Sequence, residues 1–191
     1  VIGLGLTYPV MAGQEWLNWR NPSRDWMGIN GLEYVDSTTQ SYNEPGEYDA
    51  INWLWDNNKQ DDVMLSAAGC AWQTQIGRPA GATGIPSILG WTDHEEQWHL
   101  SDSNIVAETT QRVTDVTTMF NAPPSTDLLD KYGVTLIFIG PVETTGNTGQ
   151  TSSAGCAPGP FQGASNPDYP GAGWTEVYNA EGVRIYRRDG S

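Results

Sequence analysis

At 191 residues the chain has room for one domain with a single sizeable core, and its formal charge is −14. Such an acidic chain lacks the basic patches that nucleic acid or anionic lipid headgroups require, so both are excluded as partners. Lys59 and Lys131 are the only lysines among nine basic residues, and the acidity fits either solubility through net charge or a salt-rich habitat.

The start, Val1 to Ala12, is apolar and turns polar at Gln14 and Glu15. It is too short for a membrane-spanning helix of roughly 20 residues. Without a basic flank or a good cleavage site it does not read as a secretory peptide. It reads as a buried strand or helix, or as the outer end of a membrane helix in a longer parent chain. Residues 14–191 read as a single domain.

Gln14 to Asn43 is rich in Trp, Asn, Asp and Gly and reads as irregular structure with short extended pieces. Glu44 and Pro45 open a helix, since proline suits a first turn and Glu44, Glu47 and Asp49 favour its positive end. Ile51, Leu54 and Trp55 recur at helical spacing, so Tyr48–Asn57 is predicted as an amphipathic helix. Val63 to Ala68 is short, apolar and small, the pattern of a buried strand.

Gly77 to Leu100 follows neither the helical nor the strand period, and its side chains are expected to converge on a site at a bend. A second helix is predicted over Ile105–Phe120, with Val113, Val116 and Phe120 on one face. Ser125 should cap a short helix that Gly133 closes. Val134–Ile139 is the strongest strand signal, a continuous apolar run suited to a sheet covered on both faces. Pro141 to Gly173 reads as a long Gly/Ser/Thr/Pro loop. The C-terminus reads as a β-hairpin, Glu176–Tyr178 and Val183–Arg187 around a turn at Asn179–Gly182. The order implies an α/β fold: a small mixed sheet with flanking helices, a long Gly/Ser-rich loop and a C-terminal hairpin.

Cys70 and Cys156 are the chain's two cysteines, and neither sits in a CxxC pair. A disulfide tying the long loop to the core is the preferred reading and would place the domain outside the cytoplasm; two unpaired thiols in a reducing compartment are the alternative.

His94-Glu95 is not a zincin motif, because the next histidine is His99, five positions on and off the face that HExxH presents. No metal site and no cofactor is expected. Asp93, Glu95 and Glu96 supply carboxylates without an argued partner for acid/base hydrolysis. Nor is there a GxSxG motif, a phosphate-binding loop or a dinucleotide fingerprint, and no catalytic residue is assigned. The mixture suits carbohydrate contact better: Trp91 and Trp98 for the C–H faces of sugars, with Arg78, His94, Glu95 and Gln97 for the hydroxyls. The competing reading packs both tryptophans in the core and pairs Arg78 with Glu95 or Asp93.

GIPSILGWTDHEEQW, then QRVTDV, LLDKYGVTLIFIGPVE and the closing GVRIYRR together resemble the C-terminal part of the YYY family of polytopic archaeal and Chloroflexi membrane proteins. The family's TGxPxxxGWxxHExQW pattern corresponds to Thr83, Gly84, Pro86, Gly90, Trp91, His94, Glu95, Gln97 and Trp98. Its Arg-Asp-Val element corresponds to Arg112, Asp115 and Val116, here with two residues between Arg and Asp. The chain departs from the family where His99 replaces the arginine after Gln-Trp, and where a Gly/Ser/Thr insert bearing Cys156 follows Glu143.

The family is similar to membrane glycosyltransferases that use lipid-linked sugars. The resemblance therefore implies an extracytoplasmic domain of a membrane protein, with glycan or a lipid-linked sugar as partner and the parent's membrane region at its N-terminus. Catalysis in such enzymes lies in the membrane half, so the domain is expected to bind without reacting. A structural or protein-interaction module of a cell-surface membrane protein is the alternative.

Overall fold

In a computed structural model of the chain, the described residues are 32, 35, 45–70, 75–99, 102–146 and 160–191. The apolar start and Cys156 lie outside them. Among the described residues no helix is long and apolar enough to cross a membrane.

Helix α1 spans Pro45–Asn57, with proline in its first turn as expected. Strand β1 is only Met64–Leu65, shorter than the predicted Val63–Ala68. It pairs in parallel with β2, Leu136–Ile139, in the register Met64↔Leu136 and Leu65↔Ile137. Residues beyond Leu65 leave the ladder because their next backbone partners come from elsewhere: the Gly69 N–H donates to Gly90 O at 3.0 Å and the Thr92 N–H to Gly69 O at 2.8 Å.

Those bonds divide the Gly77–Leu100 passage, which is not one bend. It forms two short helices, α2 (Arg78–Thr83) and α3 (Thr92–Trp98), joined by an extended stretch. Helix α4 follows at Ser103–Met119, starting two residues before the predicted Ile105 because the Asp102 carboxylate accepts the Asn104 N–H at 2.9 Å. Helix α5 is Thr126–Lys131. The stretch after β2, expected as an unbroken loop, contains α6 (Pro141–Thr145) and α7 (Gln162–Ser165).

The hairpin strands β3 (Trp174–Ala180) and β4 (Val183–Arg188) are longer than predicted, being paired from Trp174↔Arg188 to Ala180↔Val183. Their two-residue turn has positive φ at both Glu181 (47°) and Gly182 (83°), which matches the strand twist. The sheet order is β1-β2-β4-β3, parallel at the first pair and antiparallel at the others. The predicted small mixed sheet of an α/β fold is what forms.

Alternation along the strands splits the core into two. Leu65, Ile137, Ile139 and Tyr186 join Val116, Met119 and Phe120 of the α4 region and Leu129 of α5. Met64, Leu136, Phe138, Val183 and Ile185 join Ala50 and Leu54 of α1. Helices therefore cover both faces, which explains why β2 is a continuous apolar run, buried at every position.

Candidate functional site

Among the described residues, an exposed aromatic stripe on α3 and a buried polar cluster at the carboxyl ends of β1 and β2 combine chemically capable side chains.

The stripe starts from backbone anchoring. Thr92 Oγ1 also donates to Gly69 O at 3.2 Å, and Arg112 Nη1 donates to Ile88 O at 3.1 Å. Residues 88–92 are thus held from two sides as they enter α3. Trp91, His94 and Trp98 then recur at i, i+3 and i+7, which places their rings along one helix face. Ring centroids are 5.9 Å apart for Trp91–His94 and for His94–Trp98, both edge-to-face at 82° and 89°. Trp98 Nε1–H donates to His94 Nε2 at 3.2 Å.

Exposure separates the two indoles. Trp91 is half-buried and packs against the larger core, whereas Trp98 is 74 % exposed. Asp93, Glu95, Gln97 and His99 are exposed, and Glu96 is half-buried. The reading that packs both tryptophans in the core therefore holds for Trp91 and not for Trp98. The spacing of positions 91, 94 and 98 is the sequence signal for the stripe.

Arg78 sits in a different environment. Its side chain is 3 % exposed and ion-paired with Glu47 of α1, Nη1 to Oε2 at 3.0 Å. It is not paired with Asp93 or Glu95 in that contact, and its burial removes it from the surface that Trp98 presents.

Glu47, the partner of Arg78, lines one small cavity with Ser66, Gln75 and Glu143, and all five side chains are buried. Ser66 follows β1 directly and Glu143 lies just past β2, so both stand outside the carboxyl ends of adjacent parallel strands, where ligands of open α/β sheets commonly bind. Glu143 Oε1 accepts the Ala67 N–H at 2.7 Å and Oε2 accepts the Gly140 N–H at 2.9 Å. Burial pushes the Glu143 carboxyl above the ordinary carboxylate range, while backbone N–H groups of Ala67, Gly140 and its own residue pull the other way. Gly140 must lack a side chain, since a Cβ there would lie 2.7 Å from the Phe138 ring. Sequence reading missed this cluster because its members come from four separate stretches, and only the fold brings them together.

Cys70 is buried and is not a free thiol. Its expected partner, Cys156, lies outside the described residues. Among the described residues no group of three or more His, Cys, Asp or Glu side chains is placed to hold a metal ion.

Of the family-like Arg112–Asp115–Val116 element, each residue has a packing role. Arg112 holds Ile88 as above, Asp115 accepts from Lys131 Nζ, Tyr132 OH and Gln111 Nε2 at 2.8, 2.7 and 2.7 Å, and Val116 is core. Burial works against ionisation of Asp115, but these three hydrogen bonds and the Lys131 charge outweigh it and lower the pKa.

No protein family, no curated protein and no solved structure matches the chain.

Proposed function

We propose that the chain is the outward-facing domain of a polytopic membrane protein of glycosyltransferase type, located at the extracytoplasmic face of the cell membrane. In this reading the Trp98 end of α3 contacts glycan or a lipid-linked sugar, and the domain performs no chemistry of its own. The observation that carries the reading is the 74 % exposed Trp98 ring, oriented by the bond to His94 with Glu95 and Gln97 exposed on the same short helix. A large indole left in water beside carboxylate and amide groups offers what a sugar needs, a flat apolar face with hydroxyl partners around it. The non-free state of Cys70 supports an oxidising compartment and a Cys70–Cys156 bridge. The resemblance of the Thr83–Trp98 stretch to the YYY family supports the membrane parent.

Desolvating one Trp face contributes on the order of 1–3 kcal/mol, so binding through that face alone is expected to be weak, roughly 10 mM or weaker. Titration of a broad neutral-glycan panel, followed by amide NMR on the wild type, Trp98→Ala and Glu95→Gln, tests it. Shifts centred on α3 that vanish in Trp98→Ala are expected. Equal responses from all three proteins, or none, would remove the glycan reading.

A structural module is the second reading. The packing of Trp91 on the core and the Arg112–Ile88 bond favour it, and it predicts no glycan response at all.

A further inference from the structure

Ser66 is the anomaly of the buried cluster. It is 3 % exposed, and its Oγ has no hydrogen-bond partner among the described residues. Buried hydroxyls are nearly always bonded to protein or to ordered water. Ser66 lines a cavity of about 10 Å³ that Glu47, Gln75 and Glu143 also border. That is about the space one water-sized sphere occupies, and a water held there needs two to four polar partners, which this wall offers.

Charge decides between a neutral and an ionic guest. The Glu47 carboxylate is offset by Arg78, and the Glu143 carboxyl rests on backbone N–H groups from Ala67 and Gly140. Glu47 is thus neutralised within the protein, and burial favours the uncharged form of Glu143. The volume also excludes any sugar or nucleotide.

We propose that this cavity is a binding site for a single water molecule, held by Ser66 Oγ and shared with the polar side chains of Glu47, Gln75 and Glu143. The water is a structural ligand: it joins the segments leaving β1 and β2 to α1, and it satisfies a hydroxyl that the protein alone does not. The site is independent of the α3 stripe, and its test does not depend on glycan binding.

The test counts long-lived waters by oxygen-17 magnetic relaxation dispersion in the wild type and Ser66→Ala, together with a high-resolution crystal structure of the wild type. The expected result is one water within hydrogen-bond distance of Ser66 Oγ, and one long-lived water fewer in the variant. Equal counts, or no density beside Ser66 Oγ in a well-ordered site, would overturn the proposal. Should Ser66→Ala fail to fold, the wild-type density decides alone. Thermal stability is also measured in sodium, potassium and choline chloride at one ionic strength. A melting temperature raised by sodium or potassium over choline in the wild type, and not in Glu143→Gln, would replace water with a monovalent cation and likewise overturn it.

Discussion

Removing the Asp62 carboxylate should be among the most damaging single changes to this domain. Asp62 is 3 % exposed and gathers donors from three parts of the chain. Arg187 of β4 donates twice, Nη1 at 2.7 Å and Nη2 at 3.0 Å, the Thr135 hydroxyl before β2 donates at 2.9 Å, and the Lys59 N–H at 2.7 Å. Burial opposes the charge on Asp62, but those bonds and the Arg187 guanidinium together hold its pKa below the ordinary value.

Asp62→Ala deletes all of them and leaves Arg187, whose side chain is only 13 % exposed, facing a hole. Breaking a buried pair from one side costs about 3–5 kcal/mol. With a urea dependence of about 2 kcal/mol per molar, the unfolding midpoint should fall by roughly 2 M.

The pH dependence follows from the lowered pKa. The Asp62 contribution is complete above its unfolded value of about 3.9 and is lost as pH falls through the lower folded value. Urea titrations followed by tryptophan fluorescence at pH 7 and pH 2.5 measure both effects. The gap between wild type and Asp62→Ala should be large at pH 7 and should shrink at pH 2.5. A gap below about 1 kcal/mol at pH 7, well under the cost of a broken buried pair, or one equal at both pH values, would refute this account.

Gly163→Ala should destabilise by about 1–3 kcal/mol through overpacking, because a Cβ there would lie 2.5 Å from Phe120 O and 2.6 Å from the Tyr169 ring; an unchanged calorimetric melting temperature would show that α7 shifts freely. Trp98→Ala should stay within about 0.5 kcal/mol of wild type, as surface substitutions do. Trp91→Ala, which opens the edge of the larger core, should lose at least about 1 kcal/mol, and urea curves that rank them in the other order would reverse the roles assigned to the two rings. Non-reducing peptide mapping should recover a Cys70–Cys156 crosslink whose reduction costs about 4–5 kcal/mol in the chain-entropy model; two alkylatable thiols in the native, unreduced protein would contradict the bridge.

Local sequence determined the elements whose signals are local. Pro45 and the spacing of Ile51 and Leu54 specify α1, the apolar run around Leu136–Ile139 specifies β2, and the alternation either side of Glu181-Gly182 specifies the hairpin, because propensity and periodicity act over a few residues. The indole, imidazole and carboxylate of the α3 stripe were also visible as residue types. Tertiary structure alone decided where they point: Trp98 into water, Trp91 onto the core, and Arg78 inward to Glu47. It likewise shortened β1 to two residues, since Gly69 finds its partners at Gly90 and Thr92, about twenty residues downstream. The buried cluster joins Glu47, Ser66, Gln75, Arg78 and Glu143 across nearly a hundred positions. No window of sequence contains such a site, because its cohesion comes from hydrogen bonds and burial that exist only once the parallel pair β1–β2 has formed.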